Sequence, residues 1–177
     1  MRIHTLACTA ALFCLSVSAQ AALKPGDAAP SFKTPAAVAG KAFDFDMAEA
    51  LRKGPVVLYF FPKAFTQGCT LEAHAFAEAT PQFAAMKATV VGMSHDDIDT
   101  LKRFSTEACR DQFAVASDPR AVTIKAYDAG AAANPARADR ISYVVGQDGK
   151  VKFALVSSDP LAHVEQTKAA VRQLQGK

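Results

Sequence analysis

Cys69 is the residue of this sequence best placed to act as a nucleophile. It follows a continuous apolar run, residues 56–61, that is typical of a buried strand, and it begins a stretch with helical spacing. A thiolate at a helix N-terminus faces unpaired backbone N–H groups and the positive end of the helix dipole, and both stabilise the charged form. The alternative is an inert buried cysteine, which is common in folded proteins.

The residues before Cys69 form a recognisable pattern. Residues 62–69 read P-x-x-x-T-x-x-C, which resembles the active-site motif of the peroxiredoxins, the thiol peroxidases of the AhpC/TSA superfamily. The resemblance implies that Cys69 attacks a peroxide, that Thr66 hydrogen-bonds the thiolate and the peroxide, and that Pro62 shields the site. It also implies that the backbone N–H groups of Gly68 and Cys69 hold the peroxide oxygens. Structural roles, a helix cap for Thr66 and a strand terminator for Pro62, are compatible with these.

A second pattern lies far along the chain. Arg140 opens the run R-I-S-Y-V-V, which is followed by Asp148-Gly149 and resembles the strand and hairpin in which peroxiredoxins place a site arginine. A fixed positive charge stabilises both a thiolate and the charge that develops on a split peroxide. An arginine at a strand start is usually a solvated charge, but the two patterns together favour the functional interpretation.

Two further features extend the resemblance over most of the chain. Residues 26–32 resemble the G-x-x-A-P-x-F start of the family, which concerns the fold. Glu72 lies one turn after Cys69 and could orient Arg140, as in the bacterioferritin-comigratory (Q-type) branch. The alternative for Glu72 is a glutamate on the helix surface.

The sequence departs from that branch in its second cysteine. Many members have a resolving cysteine five residues after the peroxidatic one, and this position holds His74. Some members place the resolving cysteine in the next helix, where Cys109 lies. The helical spacing puts Cys109 near the apolar stripe, so we expect it to be partly buried and a disulfide with Cys69 to require local unfolding. The alternative is a quiet core cysteine.

The first 21 residues are predicted to be a cleaved signal peptide. Arg2 is followed by an apolar run, residues 6–17, and then by a small-x-small sequence that ends at Ala21. A membrane-spanning helix needs about 20 apolar residues, and this run is shorter. We therefore expect a periplasmic or secreted protein without a membrane segment. Cleavage would remove Cys8 and Cys14, so the mature protein would retain Cys69 and Cys109, either as a structural disulfide or as a catalytic thiol pair.

Composition narrows the remaining possibilities. The chain has 177 residues, of which 50% are hydrophobic, and a net charge of +3 without a basic stripe. These values suit one domain over residues 22–177 and argue against a nucleic-acid partner. The sequence has no glycine-rich phosphate loop, and its histidines lack metal-binding spacing with the cysteines, so we expect neither cofactor nor metal. His74, His95 and His163 are each expected at the surface or at a helix cap.

The elements are predicted from apolar periodicity and turn residues. The order β-β-α-β-α-β-α-β-β-α indicates an α/β protein with a thioredoxin-like fold, in which a mixed central sheet is flanked by helices. Residues 22–34 form an extended entry segment, residues 80–81 break a helix, and residues 147–150 form a hairpin turn. Asp118 and Asp159 each precede a proline and are expected to start helices. The predicted strands are residues 42–46, 56–61, 89–93, 113–116, 141–145 and 151–156.

The resemblance implies a thiol-dependent peroxidase that reduces hydrogen peroxide and organic hydroperoxides through a sulfenic acid on Cys69. A thioredoxin-like protein or a small thiol would be the reductant, and the branch favours a monomer. Three alternatives remain open. A thioredoxin-like disulfide reductase normally has C-x-x-C, but the first position here is Thr66. A periplasmic copper-binding module needs a cluster of soft ligands around Cys69. A noncatalytic domain would use a Cys69–Cys109 disulfide for stability alone.

Overall fold

The computed structural model of the protein describes residues 22–176. The predicted signal peptide, residues 1–21, lies outside the described residues. The strands are β1 (Lys33–Val38), β2 (Lys41–Asp46), β3 (Val56–Phe60), β4 (Thr89–Ser94), β5 (Ala114–Ser117), β6 (Gly130–Ala131), β7 (Asn134–Ala138), β8 (Ile141–Val145) and β9 (Val151–Val156). The helices are α1 (Met47–Lys53), α2 (Gln67–Ala85), α3 (Ile98–Glu107), α4 (Val122–Ala126) and α5 (Pro160–Gln175).

Seven strands form a mixed sheet in the order β2-β1-β5-β4-β3-β8-β9. The central strands β3, β4 and β5 are parallel, and antiparallel pairs extend the sheet on both sides. All residues of β3 and β8 are buried, which is the burial that continuous apolar runs predict for strands covered on both faces. Side chains of α2, α3 and α5 cover one face, and those of α1 and α4 cover the other. The predicted mixed sheet with flanking helices is therefore confirmed.

The predicted break at residues 80–81 is wrong. Helix α2 continues to Ala85 with Pro81 inside it. A proline in a helix interior costs about 3 kcal/mol. Phe76 and Phe83 lie on either side of this position, both fully buried with ring centroids 6.2 Å apart, so the packing of the helix outweighs the local cost.

The prediction for Asp118 is also wrong in position. The next helix begins at Val122, and the carboxylate of Asp118 accepts hydrogen bonds from the backbone N–H groups of Val122 (2.9 Å) and Ile124 (2.8 Å). The carboxylate thus satisfies free N–H groups of this helix from a more distant position. Asp159 behaves as predicted, since it accepts from the N–H of Leu161 at 3.0 Å at the start of α5.

Strand β1, helix α1 and the hairpin of β6 and β7 were not predicted. Strand β1 begins inside the predicted entry segment and lies between β2 and β5. Helix α1 follows a capping carboxylate, Asp46, which accepts from the N–H of Glu49 at 3.1 Å. The hairpin β6–β7 occupies the alanine-rich stretch before Arg140. Among residues 22–176, no helix is both long and apolar enough to cross a membrane.

Candidate thiol active site

Cys69 lies in the first turn of α2. Thr66 is the residue before the helix, and the first helical hydrogen bond joins the N–H of Thr70 to the carbonyl of Thr66 at 2.8 Å. The N–H groups of Gln67, Gly68 and Cys69 therefore have no acceptor within the helix. Cys69 is 1% exposed, so its sulfur is almost completely shielded from solvent.

The loop before α2 is fixed to the end of β4. The backbone N–H of Ala64 donates to Oδ2 of Asp96 at 2.8 Å, and the same oxygen accepts from the hydroxyl of Ser94 at 2.8 Å. Phe65 has a left-handed backbone (φ 64°), and its ring meets that of Phe104 edge to face, with centroids 5.2 Å apart. These contacts hold the loop in the shape that directs the chain into α2. Sequence reasoning did not select Asp96, because a carboxylate after a strand is usually a surface residue.

Arg140 is brought to the sulfur by strand pairing. It immediately precedes β8, and β8 pairs with β3 so that Ile141 lies opposite Phe60 at the end that leads to Cys69. Its Nη2 donates to the Cys69 sulfur at 3.5 Å across 71 residues of sequence, and its Nη1 contacts Oε2 of Glu72. The Arg140 side chain is only 11% exposed, so its charge acts in an environment that excludes most water.

Gly68 leaves the space that this guanidinium needs. A Cβ atom at this position would lie 3.1 Å from Nη2 of Arg140 and 3.9 Å from Cγ of Pro160. The first of these distances is tight for a carbon atom, so a side chain here would require the guanidinium to shift by a few tenths of an ångström. The structure therefore gives Gly68 a steric role beside its N–H group.

Glu72 is completely buried, so the alternative of a surface glutamate is wrong. Burial raises the pKa of Glu72 to about 8, although the charge of Arg140 and its hydrogen bond act in the opposite direction. Oε1 of Glu72 is buried without a hydrogen-bond partner among the described residues, which also disfavours the ionised form. Burial lowers the pKa of Arg140, but the charges of Glu72 and Cys69 more than offset this, so the guanidinium stays positive.

The predicted hydrogen bond between Thr66 and the Cys69 sulfur is not present, because the Thr66 hydroxyl bonds to the backbone instead. The hydroxyl of Thr66 donates to the carbonyl of Lys63 at 3.0 Å, because the loop turns back on itself before the helix begins. Its side chain makes no capping bond to α2 either. Pro62 is partly buried after β3, and its carbonyl accepts from Nε of Arg137 at 3.3 Å. Arg137 belongs to β7, so the unpredicted hairpin contacts the loop that carries the motif.

Cys109 is more deeply buried than the sequence suggested. It lies just beyond the end of α3, is 0% exposed, and belongs to the same apolar cluster as Cys69. Both cysteines of residues 22–176 are free thiols. Burial, with a smaller contribution from Asp111, raises the pKa of Cys109. The next residues, Arg110 (φ 50°) and Asp111 (φ 61°), both have left-handed backbone, which is unfavourable for residues with a side chain.

One of the three histidines of residues 22–176, His163, is not at the surface as predicted. His163 is completely buried, and hydrogen-bond partners for both ring nitrogens offset the cost of removing them from water. His74 and His95 are partly buried. Within the described part of the chain, no group of three or more histidine, cysteine or acidic side chains is close enough to hold a metal ion.

Known proteins resemble this chain in sequence and in fold. The AhpC/TSA family model matches residues 25–154. A putative peroxiredoxin of Mycobacterium tuberculosis strain H37Rv is 31% identical over 127 residues, which are 70% of this chain and 82% of that protein. The chloroplastic peroxiredoxin Q of Populus jackii is 31% identical over 121 residues, 68% of this chain and 56% of that protein.

Solved structures show the same architecture. The crystal structure of peroxidoxin BcpB from Mycobacterium tuberculosis aligns with a TM-score of 0.77 and 28% identity, covering 86% of this chain and 98% of that chain. Mycobacterium tuberculosis AhpC aligns with the same TM-score at 20% identity, covering 88% and 94%. The predicted thioredoxin-like fold is confirmed by these alignments together with the seven-stranded sheet.

Proposed function

Because the chain belongs to the AhpC/TSA family of thiol-dependent peroxidases, in the branch of the bacterioferritin-comigratory and Q-type peroxiredoxins, we propose that Cys69 is the cysteine that attacks the peroxide. The observation that carries this assignment is the 3.5 Å contact between Nη2 of Arg140 and the Cys69 sulfur. Such a pair supplies a nucleophile and a fixed positive charge at the same point.

The first step oxidises the sulfur. The Cys69 thiolate attacks the terminal oxygen of R–O–O–H, an S–O bond forms, and the O–O bond breaks. The electron pair of that bond leaves with the R–O oxygen, which takes up the proton lost by the thiol and departs as R–OH. Arg140 and the free N–H groups of Gly68 and Cys69 stabilise the negative charge on the departing oxygen. The products are a Cys69 sulfenic acid and water or an alcohol.

Thr66 is proposed to orient the peroxide in a different way from the sequence expectation. Its hydroxyl donates its hydrogen to the carbonyl of Lys63, but the hydroxyl oxygen can still accept a hydrogen bond through its lone pairs. This oxygen can accept the O–H of hydrogen peroxide or an organic hydroperoxide at the helix N-terminus. Pro62, at the end of the strand, limits the access of water to the same point.

The second step regenerates the thiol. A thiol condenses with the sulfenic acid, so that a disulfide and one water molecule form, and a thioredoxin-like dithiol or a small thiol then reduces this disulfide. We propose that Cys109 is the thiol that condenses with the sulfenic acid. Because Cys109 is buried, the turn that contains Arg110 and Asp111 must open before the sulfurs meet.

We also propose the cellular setting from the sequence. Removal of residues 1–21 would give a periplasmic or secreted protein that acts as one domain, residues 22–177. The similarity to the Q-type branch favours a monomer. Size-exclusion chromatography with light scattering and the N-terminal sequence of the protein exported by a bacterial host test the two points separately.

The mass of the protein after one turnover tests the chemistry. The reduced mature protein receives one equivalent of hydrogen peroxide and is analysed under denaturing conditions. Loss of two hydrogens is expected, with a Cys69–Cys109 disulfide in the digest, whereas the Cys109→Ser variant is expected to gain one oxygen on Cys69. An unmodified Cys69 in both proteins would contradict the assignment, and a wild-type protein that gains one oxygen on Cys69 without forming the Cys69–Cys109 disulfide would exclude Cys109 as the resolving residue.

A further inference from the structure

His163 is a buried histidine that the proposed chemistry does not use. It lies in the first turn of α5 and is completely buried. Its Nδ1 lies 2.7 Å from Oγ of Ser142, and its Nε2 lies 3.0 Å from the carbonyl oxygen of Ser157. A buried polar side chain with both ends satisfied fixes its partners, because a partner left unpaired in the interior would be costly.

These partners determine where the ring carries its hydrogen. A carbonyl oxygen can only accept, so Nε2 donates to Ser157 and Nδ1 accepts the hydrogen of the Ser142 hydroxyl. Burial lowers the pKa of His163; the hydrogen bond to Ser157 opposes this, and the nearby charge of Arg140 lowers the pKa further. The ring is therefore held in the neutral form and in one tautomer.

Both partners are connected to the backbone of Arg140. Ser142 follows it by two residues in β8 and is fully buried. The N–H of Ser157 donates to the carbonyl of Arg140 at 3.4 Å. One imidazole ring thus joins the beginning of β8 to the segment after β9, and Arg140 lies between these two points of attachment.

The helix that carries His163 also contacts the first turn of α2. Pro160, the first residue of α5, lies next to Gly68, since a Cβ on Gly68 would be 3.9 Å from its Cγ. We propose that His163 is a positioning residue of the peroxidase reaction, which holds Arg140 against the Cys69 sulfur without touching the peroxide. This inference rests on the proposed roles of Cys69 and Arg140.

The test compares two reactions of Cys69 in single-turnover experiments. Oxidation by hydrogen peroxide requires stabilisation of a departing oxygen, whereas alkylation by iodoacetamide does not break an O–O bond. His163→Asn keeps an amide near the position of Nδ1 but cannot reach Ser157. The variant is expected to lower the peroxide rate constant about 10- to 100-fold, as a small misplacement of a catalytic group does, and to lower the alkylation rate constant much less. His163→Gln places a donor near the position of Nε2 and is expected to restore most of the peroxide rate.

Thr167→Val is the matched control. Thr167 is completely buried on the same helix and donates to the carbonyl of His163 at 2.6 Å, but its bonds remain within α5. Its loss is expected to lower the denaturation midpoint while the ratio of the peroxide and alkylation rate constants stays that of the wild type. The same fall of this ratio in Thr167→Val as in His163→Asn would overturn the proposal.

A double-mutant cycle with Arg140→Lys completes the test. The effect of His163→Asn on the peroxide rate constant is expected to disappear when Arg140 is already replaced, and an undiminished effect would overturn the proposal. If His163→Asn does not fold, Ser142→Ala removes one of the two ring contacts, and the same ratio is expected to fall in that variant; an unchanged ratio would overturn the proposal. An Arg140→Lys variant with an unchanged peroxide rate would instead contradict the proposed function of Arg140, so the two failures are distinguishable.

Discussion

The two cysteines of the described chain lie in the same apolar cluster, yet their surroundings differ in the sign of the charge beside the sulfur. Cys69 is at the N-terminal end of α2 with a guanidinium 3.5 Å from its sulfur. Cys109 follows the C-terminal end of α3, where the helix dipole is negative, and the carboxylate of Asp111 is nearby. Exposure does not separate them, since both are buried. The helix terminus and the nearest charge, rather than access to solvent, therefore distinguish the two sulfurs and support the different roles proposed for them.

Replacing each cysteine in turn is expected to give the largest contrast. Cys69→Ser removes the nucleophile and should lower peroxide consumption by at least about three orders of magnitude. Cys109→Ser should keep the oxidation step and lose only the internal disulfide. Stopped-flow measurement of peroxide consumption by the reduced proteins checks this. A similar fall in the rate constant in both variants would contradict the different roles of the two sulfurs.

Replacing the guanidinium beside Cys69 by an ammonium group tests whether the charge alone or its planar shape distinguishes this sulfur from that of Cys109. Arg140→Lys keeps a positive charge but loses the planar group that reaches both the sulfur and Glu72. We expect the second-order rate constant with hydrogen peroxide to fall about 100- to 1000-fold, the usual cost of one lost donor to a departing oxygen. Arg110→Lys, an exposed arginine beside Cys109, is the matched control and is expected to leave this rate constant unchanged.

A single methyl group tests whether the guanidinium needs its space. Gly68→Ala places a carbon 3.1 Å from Nη2 of Arg140. The rate constant with peroxide is expected to fall about tenfold through misplacement of the charge, while the free energy of unfolding is not reduced, because alanine favours a helix over glycine. Peroxide kinetics and urea unfolding of the same variant check both parts; an unchanged rate constant would show that the guanidinium tolerates the extra carbon.

The last expected effect is on stability rather than on the reaction rate, and it is a pH dependence that arises from Glu72. Its pKa is about 8 in the folded protein, against 4.5 for an exposed glutamate, so the folded protein retains a proton that the unfolded chain releases. This contribution to stability is complete below about pH 4.5 and is lost as the pH rises through 8, with a slope of at most about 1.4 kcal/mol per pH unit. Urea unfolding from pH 5 to 8 should show this decline in the wild type and not in Glu72→Gln. Equal slopes would mean that Arg140 keeps Glu72 ionised in the folded protein.

The sheet was largely predictable because its central strands are short apolar runs between turn residues. All the predicted strands are present, with ends displaced by one residue at most. Strand β1 was missed because its buried residues, Ala36 and Ala37, are small and give little contrast with their neighbours. The hairpin β6–β7 was missed because alanine indicates neither a strand nor a turn. In both places the tertiary contacts, not the local sequence, determine the strand.

The site was predictable as a set of residues but not as a set of contacts. The two motifs identified Cys69 and Arg140, whose meeting depends on strand pairing that no local pattern reveals. The burial of Glu72 depends on which helix face meets the sheet, and the sequence left this open. His163 gave no signal, since a lone histidine in a helix is most often at the surface. The Thr66 hydroxyl donates to the carbonyl of Lys63, and residue types alone do not specify this choice of acceptor.

The pairing of β3 with β8 has a consequence for how this protein can change over time. Ile141 opposite Phe60 sets the separation of the sulfur and the guanidinium through backbone hydrogen bonds, not through the side chains of either strand. A shift of one residue in the pairing register would move Arg140 about 3.3 Å along the strand and place the side chains of β8 on the opposite faces of the sheet. Exchange of one apolar residue for another of similar volume in either strand would leave this pairing in place, whereas insertion or deletion of a single residue would separate the Cys69 sulfur from the Arg140 guanidinium.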